Sequence, residues 1–559
     1  MKCTMPTARG ALAAALAAAC LAACSRGTET WNGLLITIDT TRKDAPSFYG
    51  TTSGVTPSLD ALARESLVYE NARTSVPLTL PAHASIMTGL YPPRHTVRVN
   101  GTRPLPGAAR TLAEAAEEAG LQTGAFLGAV VLAREFGLDQ GFATYDVPER
   151  GNLATSFYDE RPAAEVVDGA LAWLKARDAS RPFLLWMHLF DSHEPYEPSA
   201  AFRRGAERSQ LYLGELGYAD SQLGRLFDAL RRDGTLDRTF VAVVADHGEG
   251  LGEHGEASHG DLCNDATLRI PFLLRYPDGY RAGERSKELV SVVDVAPTLA
   301  EAMRLSMPAS IDGRSLFRRS VAPDRGVYFE TYSPWVAYDW SPITGWVNAQ
   351  GKYVHSSHAR FFDVRRDPGE DRNVIAEVDV GSHRAALAQL ADLPTLAEAE
   401  VQPIDEELRA RIQGLGYAGV DAGQRVAPGL LSDTGRADPM DNVELQGELM
   451  QAYSLLSAGR YAEASAGFED ALAADPLNPF ALDHLGTSLI REGRFAAAVP
   501  VLQKLIALGR RRAGTFFNLG VSLDRLDRRE EARTAFLEAR KLAPDEPRIR
   551  RYLEELENP

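Results

Sequence analysis

The stretch Phe240-Val241-Ala242-Val243-Val244-Ala245-Asp246-His247-Gly248-Glu249 decides the class of fold. Its apolar run is short, β-branched and does not alternate with polar residues. A strand buried on both faces, as in a parallel sheet, has this pattern. Leu34-Leu35-Ile36-Thr37-Ile38 before Asp39 is a second such run, and Phe183 to Phe190 before Asp191 is a third. Helical patterns lie between them: Thr111 to Ala119 closing at Gly120, Ala163 to Ala176 after Arg161-Pro162, and Tyr218 to Leu230. Strands alternating with helices imply an α/β fold with a mostly parallel sheet flanked by helices. Such sheets bind ligands at the carboxyl ends of their strands, where Asp39, Asp191 and Asp246 fall.

Asp246 and His247 directly after a buried strand, with Asp39 from another strand, are a donor set for a divalent cation. The alternative is a strand-end Asp capping the next helix beside a surface His. Thr79, in Val76-Pro77-Leu78-Thr79-Leu80-Pro81-Ala82-His83, precedes a Pro tolerated in a helix's first turn. A hydroxyl there has backbone N–H groups and the helix dipole beside it, and metal coordination lowers its pKa. Alternatively, Thr79 only caps the helix. Seven of the 11 histidines (83, 95, 188, 193, 247, 254, 259) lie between 83 and 259, more than even spreading gives, which favours a site in this half of the chain. His193 follows the Phe183 to Phe190 strand and points to the same sheet edge.

The 559 residues exceed one ordinary domain of about 100–200 residues. Hydrophobic residues at 45% and charged residues at 24% exclude wholesale disorder and a multi-span membrane protein. A net charge of −16 argues against general nucleic-acid binding. Lys2 and Arg9 precede an apolar, Ala-rich stretch, Ala11 to Ala23, shorter than the about 20 residues that span a bilayer. It reads as an export signal. Its end, Leu21-Ala22-Ala23-Cys24, resembles a bacterial lipobox. That resemblance implies removal of 1–23, lipid on Cys24, and anchoring in the cell envelope, facing the periplasm where an outer membrane exists. An ordinary cleaved signal with an incidental Cys is the alternative. Cys263 would then be the one other cysteine, without a disulfide partner.

The C-terminal part repeats. Gly459 to Gly493, Gly486 to Gly520, and Ala464, Ala498 and Ala532 all keep a spacing of 34 residues, the tetratricopeptide period. Repeats are expected at 445–478, 479–512 and 513–546, with a polar final helix near 547–557, within a repeat domain at 441–557. A helical bundle needs no such period. These arrays bind partners, so a protein partner of unknown identity is expected on them. Residues 376–440, with a helical segment Glu406 to Gly414, read as a terminal helix and linker.

Residues 31–375 resemble the sulfatase branch of the alkaline phosphatase superfamily. LLITIDTTRKDAPSFYG, LPAHASIMTGLYPPRH, TLAEAAEEAGLQTGAF, QGFATYD, HLFDSHEPY, VADHGEGLGEHGEASHG, SVVDVAPTL and FFDVRRDPGEDRNV carry the resemblance in order. It implies a metal-dependent ester hydrolase with Asp39, Asp246, His247 and Thr79 on the metal and Thr79 as nucleophile. By the same resemblance, Asn100 contacts the transferred group and His193 binds substrate and can protonate the leaving group. His259 stands where many sulfatases have a Lys, and His83 where they have an Arg. The metal is Zn²⁺, Mn²⁺, Mg²⁺ or Ca²⁺, and a second built from Asp191, His193 and His259 is conceivable.

Two departures redirect the chemistry. Sulfatases have Cys or Ser, oxidised to formylglycine, where this chain has Thr79; Thr is not converted, so no formylglycine is expected. The usual Asp-Asp pair is Asp39-Thr40. A Thr ester has no second hydroxyl through which to eliminate, so water must cleave it. That leans toward a phosphate ester or phosphodiester substrate over a sulfate ester. A transferase using an envelope lipid or glycan as acceptor, and a non-catalytic scaffold working through its repeats, are the alternatives. Tyr332, Trp335, Tyr338 and Trp340 form an aromatic cluster that either stacks on a sugar or aryl group or packs.

Overall fold

A computed structural model describes residues 30–50, 54–101, 103–148, 161–397, 426–544 and 546–557. The export signal with Cys24 and the segment Glu406 to Gly414 lie outside the described residues. The three apolar runs form adjacent parallel strands. β1 (Asn32–Ile38) lies between β5 (Phe183–Leu189) and β6 (Thr239–Ala245). The remaining strands of this sheet are β2 (Leu67–Arg73), β3 (Gln122–Leu127), β4 (Thr144–Asp146), β7 (Arg269–Arg275) and β8 (Arg285–Ser291), and the order is β4-β3-β5-β1-β6-β7-β2-β8. Only β7 runs against its neighbours, β6 and β2.

Every residue of β1, β5 and β6 is buried, which explains why their sequences do not alternate. One face presents Leu34, Ile36, Leu185, Met187 and Val243 to α1 (Pro57–Arg64), α4 (Ala163–Ala176) and α5 (Arg208–Arg232). The other presents Leu35, Trp186, Ala242 and Val244 to α2 (Thr79–Thr88), α3 (Leu112–Glu118) and α6 (Val295–Ala302). Each fully buried Leu, Ile or Val contributes roughly 1.5–3 kcal/mol, so the core is well able to hold a polar site at its edge. α3 starts at a capping box, with Thr111 Oγ1 accepting the Glu114 N–H and Glu114 Oε2 accepting the Thr111 N–H. α5 begins at Arg208, not at Tyr218. Gly214 and Gly217 interrupt the sequence pattern, but Tyr212 and Leu216 continue the buried stripe.

A second, antiparallel sheet of order β12-β11-β10-β9 follows, from β9 (Val327–Thr331), β10 (Ile343–Val347), β11 (Lys352–His355) and β12 (Arg360–Phe362). α7 (Gly381–Ala391) packs on β10. The repeats then alternate in pairs: α8 (Val443–Ser457), α9 (Tyr461–Ala474), α10 (Pro479–Arg491), α11 (Phe495–Ala507), α12 (Ala513–Asp524) and α13 (Arg529–Leu542), closed by α14 (Pro547–Glu557). Ala464, Ala498 and Ala532 are fully buried between helices. A Cβ at Gly520 would lie 2.7 Å from the Phe536 ring, which is why a small residue recurs there.

The aromatic cluster packs. Tyr332, Trp335, Tyr338 and Trp340 are buried, and the last two join the core of the repeats. Tyr338 meets Phe480 edge-on with ring centroids 5.6 Å apart, and Trp340 Nε1–H donates to Asp475 Oδ2 at 3.0 Å. Gln446 of α8 donates to Asp261 Oδ2 at 2.9 Å, two residues beyond His259.

Candidate active site

Strand register brings the carboxylates together. Ile38 pairs with Ala245 and Leu189, so Asp39 and Asp246 leave adjacent strands side by side. The same register places Thr37 opposite His188. His247 Nδ1–H donates to the Gly248 carbonyl at 3.0 Å, which in the neutral ring leaves Nε2 as a lone pair. That nitrogen lies 3.5 Å from Asp246 Oδ2, 3.7 Å from Asp39 Oδ1 and 3.4 Å from Thr79 Oγ1. All four side chains are fully buried.

Thr79 is the first residue of α2, and its side chain makes no capping bond. Asn100 does that work: its Oδ1 accepts the Leu80 N–H at 2.9 Å. Its amide Nδ2 is buried with no hydrogen-bond partner, a donor ready for an incoming oxygen. The N-cap position belongs to Leu78, so the capping alternative for Thr79 fails, and its hydroxyl lies 3.4 Å from His247 Nε2. α2 is buried along its whole length and ends at Gly89 (φ +72°), whose N–H donates to Ser85 O at 2.9 Å.

His83 lies on the next turn of α2. Its Nδ1 is 2.7 Å from the Thr79 carbonyl and its Nε2 is 3.0 Å from Thr37 Oγ1, so both ring nitrogens are engaged within the protein. It positions the helix start against β1 and presents no nitrogen to a transferred group. Burial, with His188 beside it, lowers its pKa to about 3.

His193 and His259 also reach the site, with ring centroids 5.2 Å apart and the His259 centroid 4.4 Å from that of His247. They differ in what holds them. His193 Nδ1–H donates to the Glu194 carbonyl at 2.7 Å, and burial and His259 push its pKa down to about 3. His259 Nδ1 faces Glu249 Oε2 at 3.4 Å, and Tyr196 donates to the same oxygen at 2.7 Å. Burial alone would raise Glu249, but His259, Tyr196 and His193 outweigh it and hold the carboxyl at about 2.

Asp191 does not join them. Its two carboxylate oxygens accept the Ala163 N–H at 3.0 and 3.1 Å and cap α4, so the expected second set of Asp191, His193 and His259 does not assemble. Thr40, at the position of the missing second Asp, turns away and donates to Ser192 O at 2.6 Å. Three residues that sequence reasoning gave no role do reach the site: His188, Thr37 and Glu249. A His within an otherwise apolar buried strand was the available signal for the first.

A divalent cation fits this donor set. Both oxygens of Asp39, Oδ2 of Asp246 and Nε2 of His188 are buried without a hydrogen-bond partner, and they belong to two donor groups that share Asp246, one with His83 and His188 and one with Asp39 and His247. Burial, only partly offset by His247 and His259, raises Asp39 to about 6. For His247 burial acts downward, but Asp246 and Asp39 outweigh it and raise its pKa.

The sulfatase family profile matches residues 32–305, and that of the N-sulphoglucosamine sulphohydrolase C-terminal region matches residues 252–393. The tetratricopeptide profile matches 449–514 and 484–547. This chain belongs to the sulfatase family. It is a sulfatase-family hydrolase carrying C-terminal tetratricopeptide repeats. The arylsulfatase of Clostridium perfringens is 23% identical over 437 residues, covering 62% of this chain and 90% of that protein. The N-acetylglucosamine-6-O-sulfatase of Bacteroides thetaiotaomicron is 22% identical, covering 70% and 91%. Among solved structures, the phosphonate monoester hydrolase of Agrobacterium radiobacter superposes with a TM-score of 0.53 at 22% identity, over 64% of this chain and 94% of that one.

Proposed function

We propose that the sulfatase domain is a metal-dependent hydrolase with Thr79 as nucleophile, acting on a phosphate ester or phosphodiester in preference to a sulfate ester. One arrangement carries the proposal. The Thr79 hydroxyl lies 3.4 Å from His247 Nε2, which adjoins carboxylate oxygens of Asp39 and Asp246 that have no hydrogen-bond partner among the described residues. A divalent cation held by Asp39, Asp246, His247 and Thr79 would lower the pKa of the hydroxyl and offset the charge of the transferred group. Thr79 Oγ1, its proton lost to solvent beforehand, attacks phosphorus (or sulfur) in line as the alkoxide, and the bond to the leaving oxygen breaks as the new bond forms. His259, held by Glu249, gives its proton to the leaving oxygen. Asn100 Nδ2–H donates to the transferred oxygens. His259 then takes a proton from the water that cleaves the Thr79 ester, restoring both residues. His193 lies beside His259, where it contacts bound substrate.

The preference for phosphorus rests on Thr79 having no second hydroxyl through which to expel sulfate. Relatives named for sulfate esters and a structural neighbour named for phosphonate monoesters bracket this choice. The repeats are assigned to binding a protein partner, and Cys24 to a lipid anchor in the cell envelope. The test is a paired assay of the chain lacking residues 1–24 on an aryl sulfate, an aryl phosphate and an aryl phosphodiester with several divalent metals. Turnover of a phosphorus ester that disappears in Thr79→Ala supports the proposal. Turnover of the sulfate ester alone overturns the preference.

A further inference from the structure

His188 is the buried polar residue the proposed mechanism leaves unused, and its hydrogen bonds fix its tautomer. Thr37 Oγ1 is the hub. It accepts the Trp186 Nε1–H at 3.0 Å, and lies 3.0 Å from His83 Nε2 and 2.9 Å from His188 Nδ1, with the Met187 carbonyl a more distant acceptor at 3.3 Å. A hydroxyl has one proton to give and two lone pairs to offer, and Trp186 takes one lone pair. His83 Nδ1 sits 2.7 Å from the Thr79 carbonyl, which can only accept, so that nitrogen carries the proton. In the neutral, fully buried ring, His83 Nε2 is then bare and takes the Thr37 proton. His188 Nδ1–H must donate into the remaining lone pair of Thr37. His188 Nε2 is left bare.

That lone pair lies 3.3 Å from Asp39 Oδ2, an atom that can only accept once Asp39 is ionised. The two do not meet with hydrogen-bond geometry, and both are buried without a partner. Two acceptors pressed together in the interior are repulsive unless a cation lies between them. His188 Nε2 lies 3.3 Å from Asp39 Oδ2, and His247 Nε2 lies 3.7 Å from Asp39 Oδ1 and 3.5 Å from Asp246 Oδ2, separations of atoms that share an ion at about 2.0–2.2 Å each. Asp246 joins the two imidazoles: it lies within 4.8 Å of His188 in one group of donors and of Asp39 and His247 in another.

We propose that His188 is a ligand of the cation, a second imidazole in place of the carboxylate absent at Thr40, and that the resulting two-carboxylate, two-imidazole set selects Zn²⁺ over Mg²⁺ and Ca²⁺. Imidazole nitrogen favours the borderline transition metals, whereas Mg²⁺ and Ca²⁺ take oxygen. The inference rests on the metal-dependent reading above and adds to it one ligand and the class of ion.

The experiment is X-ray absorption on the Zn²⁺-loaded wild-type chain lacking residues 1–24, with Zn²⁺ affinities of wild type and His188→Ala measured by chelator competition. Two imidazoles in the wild-type spectrum, falling to one in His188→Ala, are expected. An affinity loss beyond the roughly 10–100-fold typical of residues that only orient a ligand is expected with it. One imidazole in wild type, with His188→Ala binding Zn²⁺ as tightly, overturns the inference and leaves the metal-dependent reading intact. A wild type that binds Ca²⁺ or Mg²⁺ more tightly than Zn²⁺ overturns the selectivity. No binding of any of these ions overturns the inference and the reading it rests on. The wild-type spectrum decides the ligand count even where the variant folds poorly.

Discussion

Replacing Trp340 by Ala should loosen the repeats from the sulfatase domain. Trp340 follows the short helix Ser333–Ala337 of the catalytic region, yet its side chain is 2% exposed within the core of the repeats. Truncating a buried Trp costs about 3–5 kcal/mol. The lost hydrogen bond to Asp475 adds about 1 kcal/mol. Contacts that remain across the boundary include the Tyr338–Phe480 pair, the Arg510 Nη1–H bond to Val336 O at 3.3 Å, the Arg510–Asp339 ion pair at 3.6 Å, the Gln446–Asp261 bond and the packing of Val443 against the second-sheet core. For a domain of this size, each kcal/mol moves a melting temperature by roughly 4–8 °C. Scanning calorimetry of Trp340→Ala should therefore show a repeat transition at least 10 °C lower by this estimate. Trp340→Phe keeps most of the buried area and should lose less than half as much. An unchanged melting profile in Trp340→Ala would refute the reasoning, because the indole would then not be packed where the structure places it.

Asn100→Ala should lower kcat by about 10²–10³-fold, since it removes a donor aimed at the transferred oxygens. Asn100→Asp keeps the cap on Leu80 but loses the donor, and steady-state kinetics should show it equally slow; a fast Asn100→Asp would place the donor elsewhere. Gly248→Ala puts a Cβ 2.1 Å from the Ala266 carbonyl oxygen, so the backbone that holds His247 must move. A cost of about 1–3 kcal/mol in melting and a weaker hold on metal are expected, the latter read by metal analysis after dialysis. Asp39 has its pKa raised from 3.8 to about 6, so its contribution to the stability of the cation-free protein is present below the lower value and lost as pH rises through the higher one. A cation competes with that proton. The rise in melting temperature on adding Zn²⁺ should thus be small near about pH 5 and larger near about pH 7.5; a rise independent of pH would contradict the assignment.

The central sheet was legible because its strands are buried on both faces, which removes polar residues from the run. Val241 to Ala245 and Leu34 to Ile38 could be little else. The 34-residue period was legible for a different reason: close helix contacts at Ala464, Ala498 and Ala532 tolerate only small side chains. The second sheet was not legible. Its strands are three to five residues long, and β9 is buried throughout, so neither length nor alternation marks it. Of the site, Asp39, Asp246 and His247 could be found as strand-end residues. Thr79 and His193 could be singled out from their places beside a helix start and after a strand, and Asn100 needed the family resemblance. His188 escaped both, because its role depends on the register that sets Thr37 opposite it and on a hydroxyl shared with His83 and Trp186. The misplaced Asp191 shows the limit of strand-end reasoning: one residue further along, a carboxylate caps α4 and never sees the site.

The most direct test of the central claim is to trap the covalent intermediate. The chain lacking residues 1–24 is quenched with acid during turnover of an aryl phosphate, and the peptide spanning residues 74–94 is analysed by mass spectrometry. A phosphoryl group on Thr79, together with loss of both turnover and adduct in Thr79→Ala, is the expected result. Turnover that survives in Thr79→Ala, with Thr79 unmodified in the wild type, would contradict the account.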